Sequence, residues 1–513
     1  MITQTNNINK RFIFTFFSNL IKSGLNFITG LILAKWLGPD DFGRMAFLLA
    51  SFIAIKSLMD FASSSAFFTF ISQKRRSSIF INYYWMWVFL QLILTLFVVL
   101  ILLPEELLST IWKNETKFII FLALIASFLQ NAVWNDVSQM AEASRKTIEI
   151  QTINVVLMLC NLIATLSLIY FGRLGLPAIF IVIIIEWTIA SIFAFRLYET
   201  NSKAISQNND SPDRFKNIFK LFFDYCKPFV LYVIVSFAYD FGDRWMLQNW
   251  AGSKEQAYYA ISLQFSGILL IITTSILKIF WKEIAEANHN GDIKVVSSLY
   301  SNTIKLVFLA GCLISGFLVP WTYEIIDFFL GDEYLPAVVT LMIMFLYPVH
   351  QSIGQINGAL LYATGNTRIH INCGIFFMIL GIISTYIVLA PKNLIISGYN
   401  LGSVGLASKL VLIQIIAVNV VAWIISKKFK WKFEFVYQIK MLTTFLIIGF
   451  ASKHLITLAF NASLTAILLY TLLYLIFTTS IFIYFLNFIG LDKSEYRIYI
   501  VKASKFIKSM LNL

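Results

Sequence analysis

The sequence predicts an all-α polytopic membrane protein with about fourteen transmembrane helices, each needing about 20 mostly apolar residues. Three observations carry that prediction. Of 513 residues 58% are hydrophobic and only 13% charged, where a soluble chain carries about 25% charge. Mean hydropathy is +0.77. The apolar residues form continuous runs with short polar breaks, not the alternating ten-residue segments of a membrane barrel. This composition excludes a soluble enzyme with one anchor, a disulfide scaffold and a disordered chain.

The runs follow in order. Spans one (12–36) and two (44–70) flank Gly38-Pro39-Asp40, a turn sequence that closes a hairpin. Spans three (79–103) and four (117–140) are split by the polar stretch around Glu105-Glu106. Span five (150–170) starts after Arg145-Lys146, and span six (176–198) ends at a long polar stretch, 199–220, that holds Ser211-Pro212. Spans seven (227–250) and eight (257–281) flank a second outer hairpin at Ala251-Gly252. Spans nine (303–330) and ten (336–363) are divided by Gly331-Asp332-Glu333. Spans eleven (369–390), twelve (402–426), thirteen (437–459) and fourteen (464–489) complete the series. The polar start of the chain leads into a run long enough to span, so no cleavable signal peptide is expected.

Lysine and arginine set the orientation. With the N-terminus inside, roughly 25 basic residues fall in cytoplasmic loops and the tail, against about eight outside. The net charge of +13 is therefore read as membrane orientation and not as nucleic-acid binding, and a basic tail at 493–508 suits anionic headgroups. Both termini are expected in the cytoplasm. The polar stretch divides the chain into a six-helix lobe (1–198), a cytoplasmic linker (199–226), a second six-helix lobe (227–426) and a C-terminal helix pair with the tail (427–513). Trp36-Leu37-Gly38 and Trp250-Ala251-Gly252 share an offset that aligns span one with span seven, as a pseudo-repeat of the lobes requires.

Three blocks resemble the polysaccharide repeat-unit flippases, the O-antigen and capsule family of the MATE-like flippase superfamily. They are Lys35-Trp36-Leu37-Gly38-Pro39-Asp40-Asp41-Phe42-Gly43, Asp243-Arg244-Trp245-Met246-Leu247 with Tyr258-Tyr259-Ala260, and Gly331-Asp332-Glu333-Tyr334-Leu335-Pro336-Ala337. The resemblance implies translocation of undecaprenyl-diphosphate-linked oligosaccharide from the cytoplasmic to the outer leaflet, in the bacterial inner membrane, for surface polysaccharide such as lipopolysaccharide. It also implies partners in the polysaccharide polymerase and chain-length proteins, besides membrane lipids. Two alternatives stay open: a MATE-type cation or drug antiporter, and a membrane glycosyltransferase or polymerase of the same pathway.

Charges within the spans mark candidate sites, because each costs about 2.5–3.5 kcal/mol at mid-membrane. Span one lines Thr15, Asn19, Lys22, Asn26 and Thr29 along one helical face. Lys22 lies roughly 16 Å from the inner end at 1.5 Å per residue, and its own span holds no acid. Span two carries Lys56 and Asp60, which also suit a mutually neutralising i,i+4 pair. Asn19, Lys22, Asn26, Lys56, Asp60, Arg244, Lys278, His350 and Gln355 are the candidate substrate-binding residues. Lys278 also suits snorkelling, and Gln355 sits with Gln351 and Asn357 among amides that commonly join helices. Glu186, Asp240 and Asp243 are candidates for ion coupling. Glu186 stands alone on an apolar helix, while Asp240 and Arg244 can form an internal pair. No G-x-x-x-x-G-K-[ST] motif occurs, so ATP hydrolysis within the chain is not expected. The histidines and the four cysteines lack metal-ligand or disulfide spacing. No cofactor, metal or catalytic constellation is expected, and the chain reads as a transporter, not an enzyme.

Overall fold

The computed structural model describes residues 2–73, 76–113, 115–203, 215–459 and 464–484. Among them every regular element is a helix. Eleven stretches are long and apolar enough to cross a bilayer, from Phe14–Asp60 to Phe435–Leu458. The first of these is 47 residues and carries both span one and most of span two, so this tally does not test the expected fourteen. The chain is a multi-pass helical membrane protein.

Helix Ile2–Asp60 bends at Gly38, whose φ of 71° and ψ of 170° leave the helical region. Glycine takes that conformation without a Cβ penalty, and Pro39 starts the next half with its φ already set. Some helix starts elsewhere are capped: the Ser77 hydroxyl accepts from Phe80 N–H, and the Asp292 carboxylate from Val295 N–H. Helix Thr322–Leu330 stops at Gly331, where φ is 81°. Two spans contain a π-helical turn, Val98–Leu102 and Leu129–Val133; the second introduces helix Trp134–Ala143, which carries Asp136.

The chain forms two compact units. One comprises Met1–Ile261 with Gly374–Lys409, the other Ser262–Cys373 with Leu410–Leu513. In the first, helix Ile2–Asp60 packs along Thr147–Tyr170 and Val230–Trp250. A Cβ on Gly43 would collide with the carbonyl of Ser253, the first residue of helix Ser253–His289, so that approach requires glycine. In the second, Ile293–Leu318 packs on Phe435–Ala459 and Tyr347–Ala363. Gly316 and Gly449 meet there, and a Cβ on Gly449 would strike the Gly316 carbonyl. Close small-residue crossings of this kind are how helices associate in lipid.

Helix Ser78–Phe97 exposes Met86, Phe89, Leu90, Ile93, Leu94 and Phe97, an apolar surface suited to acyl chains. Two tryptophans at span ends are packed inside the protein. Trp112 is buried, stacks on Phe52 and donates to Ser51 Oγ at 3.1 Å, and Trp321 is buried beside Tyr470.

Part of the expected linker, 199–226, is ordered as an amphipathic helix, Phe215–Cys226. Residues 204–214, span fourteen beyond 484 and the basic stretch 493–508 lie outside the described residues.

Candidate functional site

Span two is not one helix. It breaks after Asp60, where Phe61 and Ala62 adopt φ of 47° and 64°. Left-handed backbone costs a residue with a side chain roughly 1–2 kcal/mol, so the surroundings must hold this turn in place. They do so through a polar network. The new helix starts at Ser63, and Asp60 Oδ1 accepts from Ser63 Oγ at 2.9 Å and from Ser64 N–H at 3.2 Å. A carboxylate beside the first amides of a helix also meets the positive end of its dipole.

Ser64 links the break to span four. Its hydroxyl donates to Asp136 Oδ1 at 2.5 Å, and Asn135 Nδ2 donates to the same oxygen at 3.1 Å. Tyr84 OH donates to Asp136 Oδ2 at 2.7 Å. Trp87 Nε1 donates to Ser63 Oγ at 3.1 Å. Lys56 Nζ stands 3.8 Å from Asp60 Oδ1. The cluster holds two carboxylates and one ammonium in an apolar bundle. Three neutral donors satisfy Asp136, whereas Lys56 depends on Asp60.

The structure gives the two candidate lysines different acids. Lys56 has Asp60, and the charge acting on half-buried Lys22 is that of Glu142, at the far end of span four. Asn19 is half-buried and Asn26 exposed, on the same helix as Lys22.

Farther along the first unit, buried Asp243 accepts both Lys409 Nζ contacts, at 2.7 and 3.0 Å, and the Thr385 hydroxyl at 2.6 Å. The Lys409 ammonium also lies 4.1 Å from the centre of the Tyr239 ring. Gly381 leaves room for that ring. Asp240 accepts from Ser236 Oγ at 3.1 Å. Arg244 lies over the Tyr259 ring at 4.6 Å, and its buried Nη1 has no hydrogen-bond partner among the described residues. Glu186 is not alone: Asn161 Nδ2, from the preceding helix, donates to its Oε2 at 2.7 Å.

In the second unit the span-ten amides join helices. Gln355 accepts from Thr273, Gln351 from Gln414, and Asn357 bridges Tyr300 and the Val418 carbonyl. His350 is buried edge-on to Phe308, with neither ring nitrogen hydrogen-bonded among the described residues. The Lys278 side chain lies outside the described residues. Among the described residues no cluster of three His, Cys, Asp or Glu side chains could hold a metal ion.

Sequence reasoning missed Lys409, Tyr84 and Glu142. Lys409 carried the signal that singled out Lys22, a lone charge in an apolar run.

The model of the polysaccharide biosynthesis proteins matches residues 8–281, which include the broken span, Asp136 and Asp243. The chain belongs to that family. This polysaccharide biosynthesis protein is also similar in structure to the lipid II flippase MurJ in an inward closed conformation. The TM-score is 0.69 at 17% identity, over 92% of this chain and 99% of that one. An inward-facing multidrug resistance MATE transporter of the MOP superfamily gives 0.59 at 14% identity, over 80% and 94%. A MOP superfamily transporter from Pyrococcus furiosus gives 0.55 at 13%, over 83% and 95%. At these identities the likeness shows the fold alone. A search of curated proteins returns no match.

Proposed function

We propose that this polysaccharide biosynthesis protein is a flippase for undecaprenyl-diphosphate-linked oligosaccharide, moving repeat units from the cytoplasmic to the outer leaflet of a bacterial inner membrane. The observation that carries the reading is the family match, which covers the helices bearing Lys22 and Lys56. Two cations held among apolar helices suit an anionic diphosphate. Within the same reading, Asn19, Asn26, Arg244, Lys278, His350 and Gln355 contact substrate, and Glu186, Asp240 and Asp243 serve ion coupling. The repeat of 1–198 in 227–426 supplies the two lobes, and polymerase and chain-length proteins take the product. The chain performs no catalysis of its own.

Purified protein in sealed liposomes with a defined lipid-linked oligosaccharide tests this. Outer-leaflet delivery should proceed without nucleotide, driven by an ion gradient or by removal of product. A strict requirement for ATP with all gradients collapsed would refute it. The half-buried Asp60 and the buried Asp136 favour a second reading, a cation antiporter. In that case the same liposomes would exchange cations for an organic cation and leave the oligosaccharide untouched.

Orientation has its own test. In intact cells Ser206→Cys should resist a membrane-impermeant thiol reagent from outside and react after permeabilisation, because 199–226 is proposed to be cytoplasmic. Labelling from outside would reverse the topology.

A further inference from the structure

Helix Phe215–Cys226 has three faces at 100° per residue. Ile218, Leu221, Phe222 and Tyr225 turn inward and pack with Phe70, Phe80 and Tyr84; the Phe222 ring lies 5.5 Å from those of Phe70 and Phe80 and 5.9 Å from that of Tyr84. Next to that face Phe215, Phe219 and Phe223 form a row, 59%, 60% and 52% exposed, with ring centres 6.2 and 6.1 Å apart. Beyond the phenylalanines, away from the packed face, stand exposed Lys216 and Lys220, with exposed Lys227 just after the helix. Asp224 is the one acid in the helix.

Twelve residues make a rod of about 18 Å, too short for a hydrocarbon core of about 30 Å. The break at Lys227-Pro228 separates this rod from helix Val230–Trp250, whose 21 residues are long enough to cross alone. An exposed aromatic row bordered by lysines fits the boundary between acyl chains and headgroups.

We propose that helix Phe215–Cys226 docks on an anionic phospholipid surface, its three phenylalanines among the acyl chains and Lys216, Lys220 and Lys227 against the headgroup phosphates. Charge complementarity selects the occupant. Three ammonium groups bordering an apolar row match a negatively charged leaflet, with only Asp224 opposing. The packed face continues through Phe222 and Tyr84 to Asp136, so the docked helix sits one ring away from the polar network at the break.

The test uses the full chain in liposomes with its four cysteines replaced by alanine and a bimane fluorophore on Phe219→Cys. A second preparation carries the probe on Ile447→Cys, an exposed apolar position in the other unit. Brominated-chain phosphatidylglycerol should quench the probe at 219 at a several-fold lower mole fraction than brominated phosphatidylcholine, while the two quench equally at 447. Combined Lys216→Gln, Lys220→Gln and Lys227→Gln should remove the preference at 219 and leave the unfolding temperature unchanged. Absence of quenching at 219 by either lipid overturns the proposal and points to a protein covering the row. Equal quenching in the unsubstituted helix, or a preference that survives the three glutamines, overturns the role of the lysines. None of these readouts depends on what the protein transports.

Discussion

Lys22→Ala and Lys56→Ala should each reduce oligosaccharide flipping at least tenfold in proteoliposomes, with protein yield and unfolding temperature close to those of the parent. Each lysine carries a charge into the apolar bundle, and Lys22 and Lys56 stand on the two halves of one hairpin bent at Gly38. A hydrogen bond to a charged group contributes about 1.5–3 kcal/mol, or roughly tenfold to more than a hundredfold in affinity. Stability should survive because Asp60 keeps its bonds to Ser63 and Ser64 when Lys56 is removed. Arginine at either position should retain part of the rate, since a diphosphate responds first to charge. Lys56→Ala with Asp60→Asn should flip no faster than Lys56→Ala alone, if the lysine binds substrate and the aspartate only holds it in waiting. Wild-type rates in both alanine variants would remove these residues from the site and direct attention to His350 and Gln355.

The largest expected effect on folding is at Lys409. Lys409→Met leaves buried Asp243 with the Thr385 hydroxyl as its remaining hydrogen-bond donor among the described residues. Removing one partner of a buried ion pair costs about 3–5 kcal/mol, because the remaining charge is uncompensated. Asp243→Leu should cost a similar amount by stranding the ammonium against Tyr239. The double substitution should recover most of the loss, since neither charge then needs desolvation. Thermal unfolding in detergent of all four proteins gives the cycle. Additive losses would mean that the two side chains do not depend on one another.

The helical spans were legible because lipid allows few alternatives: a long apolar run must satisfy its backbone internally. The bend at Gly38 was legible too, because Gly-Pro-Asp names its own turn. The break at Phe61–Ala62 was not. Neither residue favours left-handed backbone, and the turn is held by Asp60, Ser63 and the Asp136 network, which come together only in three dimensions. Partners across helices were hidden for the same reason. Charge in an apolar run flagged Asp243, but nothing local points across 166 residues to Lys409. Glu186 looked solitary along its own helix, and its partner Asn161 lies 25 residues away. The amides of span ten were recognisable as helix-joining groups, though not the helices they join. Helix Phe215–Cys226 was taken into the linker because the polar stretch before it masks an apolar face only three turns long.

The break at Phe61–Ala62 also bears on how the sequence can drift. In a continuous helix each inserted or deleted residue rotates everything beyond it by about 100°. Such a change ahead of Lys56 would then swing Ser63 and Ser64 away from Asp136. An interrupted helix loosens that coupling, because the rotational setting of the second half is fixed by Asp136 beside it as well as by Asp60 beneath its first turn. A change of phase in the half that presents Lys56 therefore reaches the second half only through Asp60, one turn on from that lysine, while Asp136 holds the second half from the side.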